Sequence, residues 1–317
     1  MKPRAFRACA LSVLACAVLL TAIGATASTV ASFQPQVRFQ KSSVPGGIIR
    51  ADISSATPID SVSVCVQDGK GKTVSRGVAF PANGSLPAAD WFCLAAVAST
   101  VAPGEYHLVL DAKSGSGAFH ANNAVVVAPV SFASEEIPLD QSLTDLREAP
   151  DPRKTAESAE LGAILARVDE WDVFEPGPFL RPVEPLRKSA GYGDRRLYRY
   201  SNTHTEQSVH DGVDYALPQG SPVFACGAGK VVMAQNRILT GNTVVIEHLP
   251  GLYSLYYHMS EIRTQKGASV EKGQLVGLVG MTGFATGPHL HWQIQLGGIA
   301  VDPESLLVAP IVEALGE

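Results

Sequence analysis

Two stretches decide how the C-terminal half of this sequence folds: SVHDGVDY at residues 208–215 and GPHLHW at residues 287–292. The first contains His210 and Asp214 in an H-x-x-x-D pattern, and the second contains two histidines in an H-x-H pattern. Side chains two apart on a β-strand point to the same side, so both histidines of the second stretch would face one cleft. Each pattern arises often by chance, so neither predicts a site by itself.

A third histidine makes the combination much more specific. His258 lies in YYHMS at residues 256–260, between the two stretches. Three nitrogen or oxygen ligands with an open fourth position are what a catalytic zinc requires. The sequence therefore predicts a metal cleft in which one histidine of the pair His289 and His291 binds the ion and the other faces bound water.

Residues 190–306 resemble the lysostaphin-type zinc endopeptidases, also called the LytM-like family. The matching segments follow the family's order, and they comprise GYGDRR at 191–196, the H-x-x-x-D stretch, strand-like segments at 218–223, 229–232 and 241–248, YHMS at 257–260, VEKGQ at 270–274, GMTG at 280–283, the H-x-H stretch and VDP at 301–303. The resemblance implies an antiparallel β-sheet peptidase domain at residues 190–317.

The resemblance also implies a role for each residue of the cleft. His210, Asp214 and His291 take the zinc positions, which gives one zinc ion per chain. His258 and His289 take the catalytic positions beside the metal-bound water, where they would transfer protons and steady the oxyanion. The division of roles between these two histidines is left open.

The implied activity is that of a zinc endopeptidase that hydrolyses peptide cross-links of bacterial peptidoglycan, with stem peptides as the partner. Two alternatives stand beside it. A zinc-bearing regulator that binds the wall and activates an amidase would need no turnover, although the complete ligand set argues against it. A lipoyl- or biotin-type carrier would explain VEKG at 270–273, but it has no use for the three metal ligands.

Other residues near these motifs are given plainer interpretations. Gln293 follows Trp292 where many relatives have Glu after Phe, and we expect it to affect packing or substrate fit. His204 is expected to be a loop residue, with contact to substrate as the alternative. His248 is interpreted as structural or substrate-adjacent, and Cys226 as a small buried hydrophobe and not a reactive thiol.

Residues 1–27 have the pattern of a secretory signal peptide. Basic residues precede an apolar run at 8–23, and ATA at 25–27 offers a cleavage site. The run is shorter than the ~20 residues that span a bilayer, although an uncleaved anchor is an alternative. A lipoprotein site at Cys16 fits poorly because apolar sequence continues past it. We therefore expect an exported protein without a stable membrane span after cleavage, in the periplasm, with wall association or secretion as alternatives.

The formal net charge of −5 bears on the class of partner. Removal of the basic leader makes the mature chain more negative, and no basic stripe remains to follow a phosphate backbone. Nucleic acid is therefore not an expected partner.

Residues 28–132 are predicted to form an immunoglobulin-like β-sandwich accessory domain. VSVCV at 62–66 and YHLVL at 106–110 alternate with period two, and turn signals separate such segments. This domain is expected to offer contacts to partners. Because an oxidising compartment permits disulfides, Cys65 and Cys93 are predicted to pair.

Residues 133–189 are predicted to be an acidic, proline-rich linker with a short helix. Thr155 is expected to cap that helix, which would run to about Trp171. Prolines between 176 and 185 suggest an extended connection. The acidic residues are interpreted as a solvated surface that could swing across a cleft. The whole chain is thus expected to be mostly β, with two β domains joined by a partly helical linker.

Overall fold

The computed structural model describes residues 33–168, 172 and 174–312. The predicted signal peptide at 1–27 lies outside the described residues. Among the helices of the described part, none has the length and apolar character needed to cross a bilayer. Within the described residues the chain is mostly β, as predicted, and two α-helices lie between an N-terminal and a C-terminal group of strands.

The N-terminal group is a two-layer sandwich. Its strands in the described residues are β1 (Gln36–Phe39), β2 (Ser42–Ser43), β3 (Ile48–Ile59), β4 (Ser61–Asp68), β5 (Thr73–Arg76), β6 (Val78–Pro81), β7 (Ala88–Ala96), β8 (Gly104–Ser114) and β9 (Gly117–Val127). One sheet has the order β1-β3-β7-β6 and the other β2-β9-β8-β4-β5. Alternate residues of the long strands, such as Ile53 and Leu108, meet in one core between the sheets. The closer likeness to immunoglobulin domains stays a prediction.

The predicted disulfide between Cys65 and Cys93 is not formed, and both residues are free cysteines. Cys93 is fully buried between the sheets, on the same side of its strand as Trp91. Cys65 alternates with the buried Val64 and Val66, so its side chain lies on the outer face of its sheet. The prediction was wrong because it used only the presence of both cysteines in the same β region. That presence does not determine the face of the sheet on which each side chain lies.

The region between the two β groups is built into the fold. It contributes β10 (Ser134–Pro138), α1 (Gln141–Glu148), α2 (Pro152–Leu165) and β11 (Arg187–Ala190). The second helix begins earlier than predicted, because the Asp151 carboxylate accepts from the Arg153 N–H and caps it. Proline suits the first helical position, where no N–H partner is needed. The helix ends at Leu165, and Trp171 lies outside the described residues.

The C-terminal group contains the remaining strands, namely β12 (Arg195–Arg199), β13 (Thr205–Val209), β14 (Gly212–Ala216), β15 (Pro222–Phe224), β16 (Gly229–Arg237), β17 (Gly241–Leu249), β18 (Leu252–Met259), β19 (Glu261–Ile262), β20 (Ser269–Val270), β21 (Leu275–Leu278), β22 (His289–Leu296) and β23 (Ile299–Val301). The main sheet has the order β11-β14-β22-β18-β17-β16-β20, with β23 beside β22. Its pairs are antiparallel, whereas β10 joins β12 in parallel in a smaller sheet β10-β12-β13. A 3₁₀ turn at Pro303–Leu306 follows the last strand.

One hydrophobic cluster extends from the sandwich into the peptidase-like sheet. Ile48, Phe80 and Leu94 of the N-terminal strands belong to the same buried cluster as Tyr256 and Trp292 of the main sheet. Hydrogen bonds also cross between the two groups of strands: a backbone N–H near the last strand donates to a carbonyl in the loop before β3. The two β groups are therefore packed together and not merely tethered.

Candidate metal centre

Neighbouring antiparallel strands of the main sheet carry the predicted site. In the pairing of β14 with β22, Asp214 lies directly opposite His291, and Ala216 lies opposite His289. Residues directly opposite one another share a face of the sheet, so these side chains point into the same cleft. On the other flank, the Tyr257 ring of β18 stacks on the His291 imidazole, with 5.1 Å between the ring centroids.

The third predicted ligand, His210, reaches this point from the turn before β14. Its Nδ1 donates to the Gly191 carbonyl at 2.7 Å, which holds the ring. Gly212 allows the close approach of the strands, since a Cβ there would lie 2.5 Å from the Trp292 carbonyl and 2.8 Å from His291 Nε2. Lack of a side chain at residue 212 is thus a packing requirement of the metal centre.

The three predicted ligand atoms converge at one place. His210 Nε2 lies 3.1 Å from Asp214 Oδ1 and 3.0 Å from His291 Nδ1. His291 Nδ1 in turn lies 2.9 Å from Asp214 Oδ1. All three residues are buried, and they form a group of potential metal ligands in the described chain.

The hydrogen-bond network assigns the protons in a way that fits a cation. Because His210 Nδ1 donates to a carbonyl, Nε2 of the neutral ring presents a lone pair. His291 Nε2 lies 3.2 Å from Gln293 Oε1 and donates to it, which leaves a lone pair on Nδ1. Two lone pairs and a carboxylate oxygen therefore face one another, and a bound cation would satisfy all three. Two imidazole nitrogens and one carboxylate oxygen suit zinc, with a fourth position open.

His258 and His289 lie beside the three ligands and present their own basic nitrogens. Nδ1 of His258 donates to the Thr282 carbonyl at 2.8 Å, and Nδ1 of His289 donates to the Gly287 carbonyl at 2.8 Å. Each ring therefore turns an Nε2 lone pair towards the cleft, and His289 Nε2 lies 3.8 Å from Asp214 Oδ1. The two ring centroids are 4.8 Å apart. The structure thus brings together all five residues that the sequence predicted.

The backbone of His258 is strained. Its φ of 62° lies in the left-handed region, which residues other than glycine seldom adopt. Its N–H donates to the Thr240 carbonyl at 2.9 Å, which helps to hold this conformation. Burial above all, together with charge on His289 and His291, lowers the pKa of His258 to about 3. The ring is therefore neutral near pH 7, with Nε2 unprotonated.

Two residues that the sequence did not assign to the site orient its ligands. The guanidinium of Arg196 donates to Asp214 Oδ2 at 2.7 Å and to Glu135 Oε1 at 2.6 Å. Glu135 belongs to β10, in the region predicted as a linker. Gln293 holds His291, and its position two residues further along the same strand was the available signal for this role.

The metal centre opens into a cleft with two connected parts. The part next to His258 and His291 has a volume of about 80 Å³, and the neighbouring part about 320 Å³. Both parts are lined by Ile137, Arg196 and Thr286, so β10 forms one wall and the loop before β22 another. An open groove of this kind can accommodate an extended chain.

Three other predicted residues lie elsewhere. His204 is an exposed loop residue whose Nδ1 lies 2.9 Å from Glu148 Oε1, as the plainer interpretation predicted. His248 is fully buried, and burial lowers its pKa to about 4, so it is structural. Cys226 is also fully buried, and burial raises the pKa of its thiol to about 12, which agrees with an inert residue.

Comparisons with known proteins agree with this geometry. Residues 208–303 match peptidase family M23. The chain is 40% identical over 116 residues to the peptidoglycan DD-endopeptidase ShyA of Vibrio cholerae, an alignment that covers 37% of this chain and 26% of that protein. The chain therefore spans about a quarter of the length of this relative.

Two solved structures are also similar. A Pseudomonas aeruginosa chain assigned to peptidase M23 shares the fold with a TM-score of 0.54 and 24% identity, covering 83% of this chain and 94% of that one. The catalytic domain of lysostaphin from Staphylococcus simulans is 32% identical, covering 39% of this chain and 92% of that one, with a TM-score of 0.34. Through the domain that carries His210, Asp214 and His291, the chain belongs to peptidase family M23, the lysostaphin-type metallopeptidases.

Proposed function

We propose that this chain is an exported zinc-dependent endopeptidase that hydrolyses peptide cross-links of bacterial peptidoglycan. The observation that carries the proposal is the convergence of three metal-ligand atoms beside two basic imidazoles in an open cleft. The DD-endopeptidase activity named for the Vibrio cholerae relative supports the choice of substrate. The predicted signal peptide supports export to the periplasm, with wall association or secretion as further possibilities.

The residues of the cleft have different roles in the proposed hydrolysis. A zinc ion held by His210, Asp214 and His291 would supply Lewis acidity and would lower the pKa of water to about 7. Nε2 of His258 or His289 accepts a proton from the attacking water, and the protonated ring returns it to the leaving amine. The other imidazole can donate a hydrogen bond to the developing oxyanion when its Nε2 carries a proton taken from bulk solvent. Arg196 and Gln293 keep Asp214 and His291 oriented meanwhile.

The proposal is tested with the purified mature protein and isolated peptidoglycan. Mass spectrometry of the released muropeptides should show loss of cross-linked dimers and gain of monomers. A chelator should stop the reaction, one equivalent of zinc should restore it, and His291→Ala should have neither tight zinc binding nor activity.

A different result would overturn the proposal. If the fully zinc-loaded protein cleaves nothing yet raises the activity of a wall amidase, the chain is a regulator. Cleavage that persists in the metal-free protein would reject the zinc mechanism itself.

A further inference from the structure

Arg187 is brought onto the cleft face of the main sheet by a β-bulge. In the pairing of β11 with β14, Arg187 lies opposite Ala216, and Ala190 lies opposite Asp214. Four residues of β11, from Arg187 to Ala190, thus match three residues of β14, and the register shifts between Lys188 and Ala190. A bulge changes the side on which the residues beyond it emerge. Arg187 and Ala190 consequently share the face that carries the metal ligands.

The row across the sheet runs from Arg187 through Ala216 to His289. Neighbouring strands are about 4.8 Å apart, so the backbones at the two ends of this row are about 10 Å apart. Ala216, Ser189 and Gly287 are small and line the intervening space, which is the cleft of about 320 Å³. Because these side chains are small, they leave room for a peptide to extend along the cleft from His289 to Arg187.

The charge of Arg187 has no partner in the part of the chain that the structure describes. Its side chain is exposed at the cleft, and no hydrogen bond or ion pair holds it among the described residues. The other charges of this cleft are engaged, since Arg196 bridges Glu135 and Asp214. Metal binding would use the remaining charge of Asp214, which leaves the cleft electropositive.

We propose that Arg187 binds a free carboxylate of the substrate peptide, two to three residues from the scissile carbonyl. This inference rests on the proposed function, and it adds the chemical class that the cleft prefers: an acidic peptide. An extended peptide advances about 3.3–3.6 Å per residue, so the 10 Å row corresponds to about three residues, less the reach of the arginine side chain. A guanidinium matches a carboxylate with two parallel hydrogen bonds, and so distinguishes it from a carboxamide.

The neighbouring Lys188 provides a matched control. It is an exposed cation on the same strand, but its ammonium lies 2.7 Å from Glu304 Oε2, in the ion pair on the other side of the sheet. Lys188→Gln and Arg187→Gln therefore each remove one positive charge within one residue of each other. Only Arg187→Gln removes a charge that faces the cleft.

The test uses a synthetic dimer of cross-linked stem peptides and the same dimer with the free carboxyl groups two to three residues from the scissile carbonyl converted to carboxamides. For the wild-type protein, amidation should lower kcat/KM roughly tenfold, as loss of a charged hydrogen bond does. Arg187→Gln should lose a similar factor on the acid dimer and little more on the amide. Lys188→Gln should behave like the wild type on both.

Equal losses of Arg187→Gln on the two dimers, or a wild type that does not distinguish them, would overturn the inference while leaving the endopeptidase activity intact. Binding of both dimers to the zinc-loaded chain should be measured by calorimetry as well. If neither dimer is cleaved, the proposed function fails. The acid-over-amide preference in binding, present in the wild type and lost in Arg187→Gln, still decides the subsite.

Discussion

At the scale of single residues, the chemistry of this site depends on which ring nitrogen of each histidine carries the proton. Backbone carbonyls fix the proton on Nδ1 of His210, His258 and His289, whereas a glutamine side chain fixes it on Nε2 of His291. These partners set which nitrogen of each ring presents a lone pair to the cleft, whereas the position of the ring decides whether it lies among the three candidate ligands.

The separation of metal binding from proton transfer can be tested directly. His258→Ala and His289→Ala should each keep near-normal zinc content, because neither ring closes the ligand set. Turnover should fall by ~10²–10⁴-fold, as is typical for loss of a general base or an oxyanion partner. Zinc content by elemental analysis is paired with the rate of muropeptide release. His204→Ala is the control and should match the wild type, whereas loss of zinc in His289→Ala would contradict the assignment.

Gln293 offers a second test at this scale. Gln293→Leu removes the acceptor that orients His291, and it should weaken zinc binding by roughly 10–100-fold. Gln293→Glu retains an acceptor oxygen of similar reach and should keep the wild-type affinity within a small factor. Zinc dissociation constants from chelator competition measure both. Equal affinities for the Leu variant and the wild type would show that the contact does not support the ligand.

At the scale of elements, strand β10 ties a region predicted as a linker to the metal centre. Its parallel pairing sets Glu135 opposite Arg196 and Glu136 opposite Leu197, so the two acidic neighbours emerge on opposite faces. Glu135 bonds the guanidinium that holds Asp214, whereas Glu136 pairs with the exposed Arg199. The strand thus supports a ligand from a position about 80 residues earlier in the sequence.

These acidic neighbours allow a matched comparison. Glu135→Gln should release Arg196 and leave its positive charge uncompensated near the cation, which should weaken zinc binding by roughly tenfold. Glu136→Gln removes the same charge one residue away and should have little effect, because exposed ion pairs contribute at most about 1 kcal/mol. Chelator competition measures both variants. If Glu135→Gln and Glu136→Gln bind zinc with the same affinity, then β10 does not support the metal centre.

The cysteines of the sandwich give a test of strand orientation. Because Cys65 faces outwards and Cys93 lies in the core, the exported protein should keep both as thiols. With the buried Cys226, thiol counting in denaturant without reductant should find three per mature chain. One thiol per chain would mean that the two strands can bring these side chains together after all.

At the scale of the whole molecule, one hydrophobic cluster contains residues of both the sandwich and the main sheet, so we expect the two to fold as one unit. Phe80 of β6 is fully buried in the cluster that also contains Trp292 of the main sheet. A side chain of this size, placed between two domains, should couple their stabilities.

Phe80→Ala should therefore destabilise both β groups together. Truncation of a buried Phe typically costs ~3–5 kcal/mol. Hydrogen exchange by mass spectrometry across a urea series should show strands of both groups opening at one lowered midpoint. The exposed Lys70→Ala serves as a control without a shift. Loss of protection confined to the N-terminal sandwich would show that the two groups unfold independently.

The sequence alone predicted the residues of the candidate metal centre, through its short motifs and its resemblance to the lysostaphin-type endopeptidases. His210 and Asp214 lie in one short motif and His289 and His291 in another, and the period of two along a strand sends the paired side chains to one face. The same local rule predicted β strands in both halves of the chain. Such information is contained within a few neighbouring residues, so it can be read without knowledge of the fold.

Only the tertiary structure decided which strands lie together and in which register. The parallel pairing of β10 with β12, the bulge that turns Arg187 into the cleft and the opposite faces of Cys65 and Cys93 all depend on strand partners distant in sequence. A shift of one residue in register moves a side chain to the other side of a sheet. Local patterns do not contain that register, because it is set by the packing of the whole core.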